Sequence, residues 1–262
     1  MRILFVGDIF GRPGRMVASK YIPETIQERN IDLCIANGEN TAGGYGITEN
    51  CVKKLYSYGV DVITSGNHIW DRNEAEMLLN ANPRLLRPAN YPPGLSGNGD
   101  YVAEARNGVL VGVINLQGRI FMPPIDCPFR AADQIVDRLR SDTNIIVVDF
   151  HAEATSEKIA LGWYLDGRVS AVFGTHTHVM TADEKILPEG TAFISDVGMT
   201  GPHKSIIGVR IDQSLRRIIR QVSTRFSPAS EWLMFSAVIV EIDDTSGRAI
   251  SIERISAGNS NE

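Results

Sequence analysis

The sequence predicts an α/β protein built on a mostly parallel sheet with helices over both faces. Short runs rich in Val, Ile and Leu alternate along the chain with segments of helical period. The length of 262 residues, with 43% hydrophobic and 22% charged residues, suits a globular chain with a sizeable core and argues against disordered, collagen-like and coiled-coil classes. No internal repeat, low-complexity tract or flexible linker interrupts the pattern, so one domain over residues 1–262 is expected.

The elements follow in order. "RILFVG" is a buried strand, and the Gly/Pro loop after it leads into a helix through "RMVASKYIPETIQER". "DLCIAN" is the second strand. "ITENCVKKLYSYG" is a helix, with Thr48 as its N-cap and Gly59 as its C-terminal stop. "VDVITSG" is the third strand, followed by a short helix around "NEAEMLLN". The proline-rich "NPRLLRPANYPPG" is extended and irregular, a crossing between two halves. "YVAEARNGVLVGVINLQG" is a hairpin, because Asn-Gly between two apolar runs is a strong turn signal. Next come a helix in "RAADQIVDRLRS", a strand in "NIIVVDF", a helix in "SEKIALGWYLDG", and strands in "VSAVFG" and "GTAFISDVG". A closing hairpin, "FSAVIVEIDDTSGRAISIERI", turns near Ser246 and Gly247, and a frayed "GNSNE" tail ends the chain.

The formal charge is -5, which disfavours coating a nucleic-acid backbone or an anionic membrane. Cys34, Cys51 and Cys127 are widely spaced and show no zinc or redox spacing, so a reducing compartment is expected. The first apolar run is broken by Asp8 and is too short for a signal-peptide core, and no run approaches a membrane span. A cytoplasmic location follows as the expectation, and the sequence leaves a homo-oligomer open.

The informative feature is where the polar residues fall. Just beyond five strands stand Asp8 in "VGDIF", Glu39 and Asn40 in "NGENT", Asn67 and His68 in "SGNHIWD", His151 in "DFHAE", and His176 and His178 in "GTHTHV". Ligands of open α/β sheets bind outside the carboxyl ends of strands, so loops scattered in sequence can converge there. Taken singly, Asp8 is a turn or cap residue, Glu39 and Asn40 are solvated loop, and His68 is a packed histidine. Taken together, four of the chain's five histidines occupy these loops.

Carboxylate, amide oxygen and imidazole suit a first-row divalent metal of the manganese, iron or zinc kind. Seven candidate ligands exceed one four-coordinate site, so two metals bridged by a carboxylate accommodate them best. In an extended segment, i and i+2 histidines project to the same side and can serve adjacent metals. Two metals about 3.5–4 Å apart suit displacement at phosphorus, lowering the pKa of a bridging water and stabilising phosphate charge. His68, pointing away from its neighbour on such a segment, is then placed to protonate the leaving oxygen. Two divalent ions bring about four positive charges against about two from Asp8 and Glu39, so a cationic pocket fits within an acidic chain.

In order, "GDIFGR", "GEN", "GNHIWD", "DFHAE" and "GTHTHV" resemble the calcineurin-like metallophosphoesterases, and more narrowly their bacterial YmdB-like branch of cyclic-nucleotide phosphodiesterases. "DVGMTGP" and the closing hairpin extend the likeness to nearly the whole chain. Phe10 stands where the wider superfamily has a histidine, and "GEN" stands where it has Gly-Asp; both departures fit the narrower branch. The resemblance implies a four-layer α/β/β/α sandwich. It also implies one metal held by Asp8, Glu39, Asn40 and His178, a second held by Glu39, Asn67, His151 and His176, and His68 as proton donor. The metals it implies are iron or manganese. The implied activity is hydrolysis of 2',3'- and 3',5'-cyclic nucleotides by a metal-bridging hydroxide, with a small phosphodiester as the partner and no stable nucleic-acid complex.

Other signals are weaker. "GRPG" lacks the ending of a phosphate loop and is a turn leading into a helix, although Arg12 or Arg15 lies near enough to touch a phosphate. Arg216, Arg217, Arg220 and Arg225 in "SLRRIIRQVSTR" suit a solvated or subunit-facing helix. His203 is a surface-loop residue, and Ser156 and Lys158 lack a "GxSxG" elbow. The loops after Asn40, around Met122 and around Met199 are expected to shape the leaving-group pocket. A TIM-barrel amidohydrolase ranks lower, because its paired histidines come first rather than last. A regulatory protein that binds a nucleotide or partner and hydrolyses slowly is the non-catalytic alternative.

Overall fold

The computed structural model describes residues 1–258, so most of the "GNSNE" tail lies outside the described residues. The first half comprises β1 (Arg2–Val6), β2 (Asp8–Ile9), α1 (Gly11–Glu28), β3 (Leu33–Asn37), α2 (Glu49–Ser57), β4 (Val62–Thr64) and α3 (Ala75–Ala81). The middle comprises β5 (Asp100–Glu104), β6 (Leu110–Gln117), α4 (Pro128–Leu139), β7 (Ile145–His151), α5 (Thr155–Tyr164) and β8 (Ala171–Thr175). The chain closes with β9 (Lys185–Ile186), β10 (Ala192–Ile194), β11 (Met199–Pro202), α6 (Ile211–Arg220), β12 (Leu233–Ile242) and β13 (Ala249–Gly258).

These strands make two sheets. The first has the order β2-β11-β12-β1-β3-β4, with β13 also paired to β12; the second has the order β5-β6-β7-β8-β10-β9. Ile3, Phe5, Leu33, Ile35, Val238 and Val240 of the first sheet share a core with Val111, Val113, Ile145, Val147, Phe173 and Ile194 of the second. Phe5 and Phe173 stack across this layer at 4.6 Å. On the outer face of the first sheet, Leu4, Val6, Cys34 and Ala36 meet Val17, Ile22, Val52, Leu55 and Leu78 of the first three helices. Behind the second sheet, Ile146, Val148 and Phe150 meet Val136, Leu139 and Leu161. The result is the α/β/β/α sandwich.

The single sheet with helices over both faces, read from periodicity alone, is therefore corrected. Each sheet is covered by helices on one face and by the other sheet on its second face. Fully apolar strands look the same whichever partner covers them. The sheets are also more mixed than expected, because β12 pairs antiparallel with β1 while β3 pairs parallel with it.

The local signals hold. Thr48 caps α2, accepting from the Cys51 amide, and Gly59 follows that helix at φ +100°. The Asn107-Gly108 hairpin pairs Glu104 with Leu110. Its turn bonds Ala105 to Val109 and puts only Gly108 at positive φ, so the loop has three residues rather than two. Gly11 opens α1, so "GRPG" forms the first turn of that helix. None of the three cysteines is paired. Among the described residues no helix is long and apolar enough to cross a membrane.

One pattern positions the site. On the faces that the sheets turn toward each other, apolar residues give way to polar ones at the carboxyl ends of the strands. The columns run Leu33, Ile35, Asn37; Val62, Thr64; Val111, Val113, Asn115, Gln117; Ile145, Val147, Asp149, His151; and Ala171, Phe173, Thr175. Every one of these polar side chains is buried. One end of the inter-sheet layer is thus a polar chamber enclosed by both sheets.

Candidate metal centre

The predicted ligands gather at this end. His151 Nε2 lies 3.0 Å from Glu39 Oε1, 3.1 Å from Asn67 Oδ1 and 3.0 Å from His176 Nδ1. One ligand atom each from Glu39, His151 and His176 falls within 4.8 Å of the others. Beside this cluster, His178 Nε2 lies 3.8 Å from Asp8 Oδ1 and 3.2 Å from the Asn40 amide, which is itself 3.3 Å from Glu39 Oε1. Turning the Asn40 amide over exchanges its nitrogen for its oxygen at that point. Glu39 therefore stands between two groups of donors. Asp8 Oδ1 is buried and has no hydrogen-bond partner, which is the condition of a carboxylate oxygen suited to a cation.

Each histidine is held from behind, so that one nitrogen is free to face inward. The His151 Nδ1 proton goes to Thr175 Oγ1 at 2.9 Å, and that hydroxyl donates to Asp149 Oδ1 at 2.7 Å. Asn37 Nδ2 and the Thr64 hydroxyl also donate to Asp149. His176 turns Nε2 to Glu153 at 3.1 Å, leaving Nδ1 toward His151. His178 donates from Nδ1 to the Ile207 carbonyl at 2.9 Å, leaving Nε2 toward Asp8 and Asn40. Such backing partners fix tautomer and ring direction in metal sites. Among these partners, Asp149 and Glu153 sit two residues before and after His151. Strand alternation could have flagged Asp149, whereas Thr175 and Ile207 carry no signal in sequence.

The charges agree with a cation site. Burial alone would raise Glu39, but the charge and hydrogen bond of His151, with lesser help from His68, bring it down to about 2. Burial would lower His151, and the carboxylates of Glu39, Asp8 and Asp149 instead raise it to about 9. His176 is brought down to about 3 by burial and by its neighbour His151. Burial lifts Asp149 to about 7, against the opposing pull of His151 and its two threonine donors. Asp8 is raised by burial. The protein's own groups thus share one proton between Glu39 and His151 where a cation would supply the positive charge.

The loops differ from the extended segments expected for them. His176 and His178 sit at φ +100° and +66°, a strained pair, so the i and i+2 alternation does not apply to them. The strain is held by outside bonds. The His176 amide donates to Asp8 Oδ2 at 3.2 Å, while the Thr177 amide and hydroxyl both donate to Asp196 Oδ2. Asp196 is in turn paired with buried Lys158 at 2.6 Å. Asn67 and His68 likewise lie in a turn, closed by Ile69 bonding back to Gly66. A Cβ at Gly66 would stand 2.0 Å from the His151 ring, so glycine is required there. His68 donates its amide to Glu39 Oε2 at 2.9 Å and sets Nδ1 against Asp71 at 2.8 Å. Its ring lines a cavity of about 510 Å³ together with Glu39, Asn40, His176 and His178.

Several weaker signals resolve. His203 is exposed and bonds the Met199 carbonyl. Arg15 reaches the Thr41 carbonyl, and neither it nor Arg12 lines the cavity. Lys158 belongs to the buried clamp with Asp196 rather than to a serine hydrolase. Of the expected pocket loops, the one after Asn40 contributes Gly44 and Tyr45. Neither Met122 nor Met199 lines the cavity, and residues 206–226 take that place.

Comparison with known proteins gives a consistent answer. The YmdB-like protein family matches residues 4–255. A 2',3'-cyclic-nucleotide 2'-phosphodiesterase of Bacillus subtilis is 49% identical over 255 residues, which is 97% of this chain and 96% of its own length. A hypothetical protein from Thermus thermophilus superposes with a TM-score of 0.92 at 41% identity, covering 98% of this chain and 99% of its own. A novel phosphatase from Mycoplasma pneumoniae does so with a TM-score of 0.92 at 33% identity, covering 98% and 93%. With this sandwich and nearly complete coverage, the chain belongs to the YmdB-like protein family.

Proposed function

We propose that the chain, as one catalytic domain, is a dinuclear metal-dependent phosphodiesterase that hydrolyses 2',3'- and 3',5'-cyclic nucleotides in the cytoplasm. The observation that carries this reading is the pair of donor groups meeting at Glu39. Asp8, Asn40 and His178 would hold one ion with Glu39, and Asn67, His151 and His176 would hold the second. Iron or manganese suits this mixture of imidazole, carboxylate and amide oxygen. When bound, two such ions supply positive charge to the phosphate oxygens and make a water acidic enough to attack phosphorus.

The chain's own residues complete the site. Asp71 holds His68 Nδ1, so the ring presents Nε2 to the cavity, where it can give a proton to the departing oxygen. The tie from the His68 amide to Glu39 keeps this donor in register with the ligand shared by both groups. Among the described residues, no lysine or arginine lines the cavity. The extra negative charge of a monoester would find no lysine or arginine there to meet it, which favours diesters.

The test is metal analysis of gently purified protein, paired with a screen of cyclic nucleotides and simple phosphoesters. About two ions per chain and a preference for diesters are expected. His68→Ala should lose activity most on substrates with poor leaving groups and least on p-nitrophenyl esters, by about 10²–10⁴-fold on the former. Metal-free active protein would overturn the metal assignment. Tight nucleotide binding without turnover in metal-replete protein would favour a regulatory role instead.

A further inference from the structure

We propose that the wall of the cavity built by residues 206–226 is a nucleoside subsite that holds the base without reading its identity. This rests on the phosphodiesterase reading above and extends it from the phosphate to the rest of the substrate. The cavity has two chemically distinct parts. Its floor is polar, with Glu39, Asn40, His68, Glu153, His176 and His178. The segment between β11 and β12 contributes Ile206, Ile207, Val209, Ile218 and Phe226, and Ser214 is its one polar side chain on the cavity.

This wall is fixed to the catalytic floor at both ends. Ile207 supplies the carbonyl that orients His178. Phe226 and Val209 pack on Phe10, whose ring meets His178 edge-on with centroids 5.5 Å apart. Phe10 is itself gripped by glycines, since a Cβ at Gly44 or Gly208 would stand 2.9 or 2.6 Å from its ring. Ile218 lines the cavity from α6 and is still 64% exposed. Ile218 thus presents open apolar surface beside the polar floor, and the flat face of a base is apolar surface of the right kind to meet it.

The same composition explains why the base goes unread. Strong discrimination between bases needs buried donors and acceptors that only one base can satisfy. Here the nearby uncommitted groups are the hydroxyls of Ser214 and Tyr45, and each hydroxyl can either donate or accept. Any of the four bases can therefore meet them. A sugar cyclic phosphate that lacks a base should reach the floor but gain nothing from the wall.

The test compares kcat and KM for the 2',3'-cyclic phosphates of adenosine, cytidine, guanosine and uridine, and for base-free ribose 2',3'-cyclic phosphate. Wild type is expected to turn over the four nucleosides with kcat/KM within about tenfold of one another, and the base-free compound with KM raised by about tenfold. Ile218→Ser should raise KM for all four by about fivefold with kcat unchanged, and leave the base-free compound untouched. Ile218→Leu should restore wild-type KM. Equal KM with and without a base, discrimination beyond a hundredfold among bases, or no effect of Ile218→Ser on the nucleosides would overturn the subsite while leaving the phosphodiesterase reading intact. Failure of wild type on all five compounds would overturn both.

Discussion

Replacing Lys158 with methionine should destabilise the fold and loosen the metal site together. Lys158 and Asp196 are 2% and 1% exposed and 2.6 Å apart. Methionine fills most of the lysine volume but leaves a carboxylate buried without its cation, a change that costs about 3–5 kcal/mol. Asp196 keeps three other donors, the Thr177 amide and hydroxyl and the Gly198 amide, so the lower end, about 3 kcal/mol, is expected. With a urea slope of about 3 kcal/mol/M, the unfolding midpoint should fall by about 1 M. Because Asp196 also pins the strained loop of His176 and His178, metal affinity should fall by about tenfold or more. Urea titration of Lys158→Met, Asp196→Asn and the double variant, each with metal titration, measures both effects. The double variant should be more stable than Lys158→Met, since it removes the uncompensated charge. A Lys158→Met loss below about 1 kcal/mol with unchanged metal affinity would refute the clamp.

Three further outcomes are expected. Gly66→Ala should abolish metal binding by pushing the His151 ring from its place, as read by metal content of folded protein. Thr175→Val should cut metal affinity by about 10–100-fold, by breaking the hydroxyl link from His151 to Asp149. Metal loading at pH 7 should release a proton, because His151 is raised to about 9 and must be neutral to bind a metal; calorimetry in buffers of different ionisation enthalpy measures this. In the apoprotein, the His151 contribution to stability is fully present below its unfolded value of about 6.5 and fades as pH rises through about 9. That of Glu39 is present above its unfolded value of about 4.5 and fades toward about 2.

How much was legible in the sequence follows from how local each cause is. The Thr48 cap, the Gly59 stop and the Asn107-Gly108 hairpin depend on a few neighbouring residues, and all three form where they are read, the hairpin with a three-residue loop. The gathering of ligands was legible too, because loops at the carboxyl ends of strands share one side of a sheet. The local conformation behind it was not. His176 and His178 are expected to serve adjacent metals from an extended segment; they do stand in different donor groups, but reach them through positive-φ backbone. Nothing within a few residues imposes that backbone. Asp8 lies 168 residues from His176, and its bond helps hold the loop.

Alternation, turn chemistry and the placement of ligands were determined by the sequence itself, because side-chain period and backbone preference act over a few residues. Only the tertiary structure decided that two sheets pack face to face rather than one sheet taking helices on both sides. An apolar strand is satisfied by either partner, and β12 reaches β1 from the far end of the chain. Tertiary structure likewise decided which nitrogen each histidine turns inward, since Thr175, Glu153 and Ile207 make that choice by hydrogen bonds. It also brought residues 206–226 over the site as an apolar wall, a role that no periodicity announces because it is defined by what lies across the cavity.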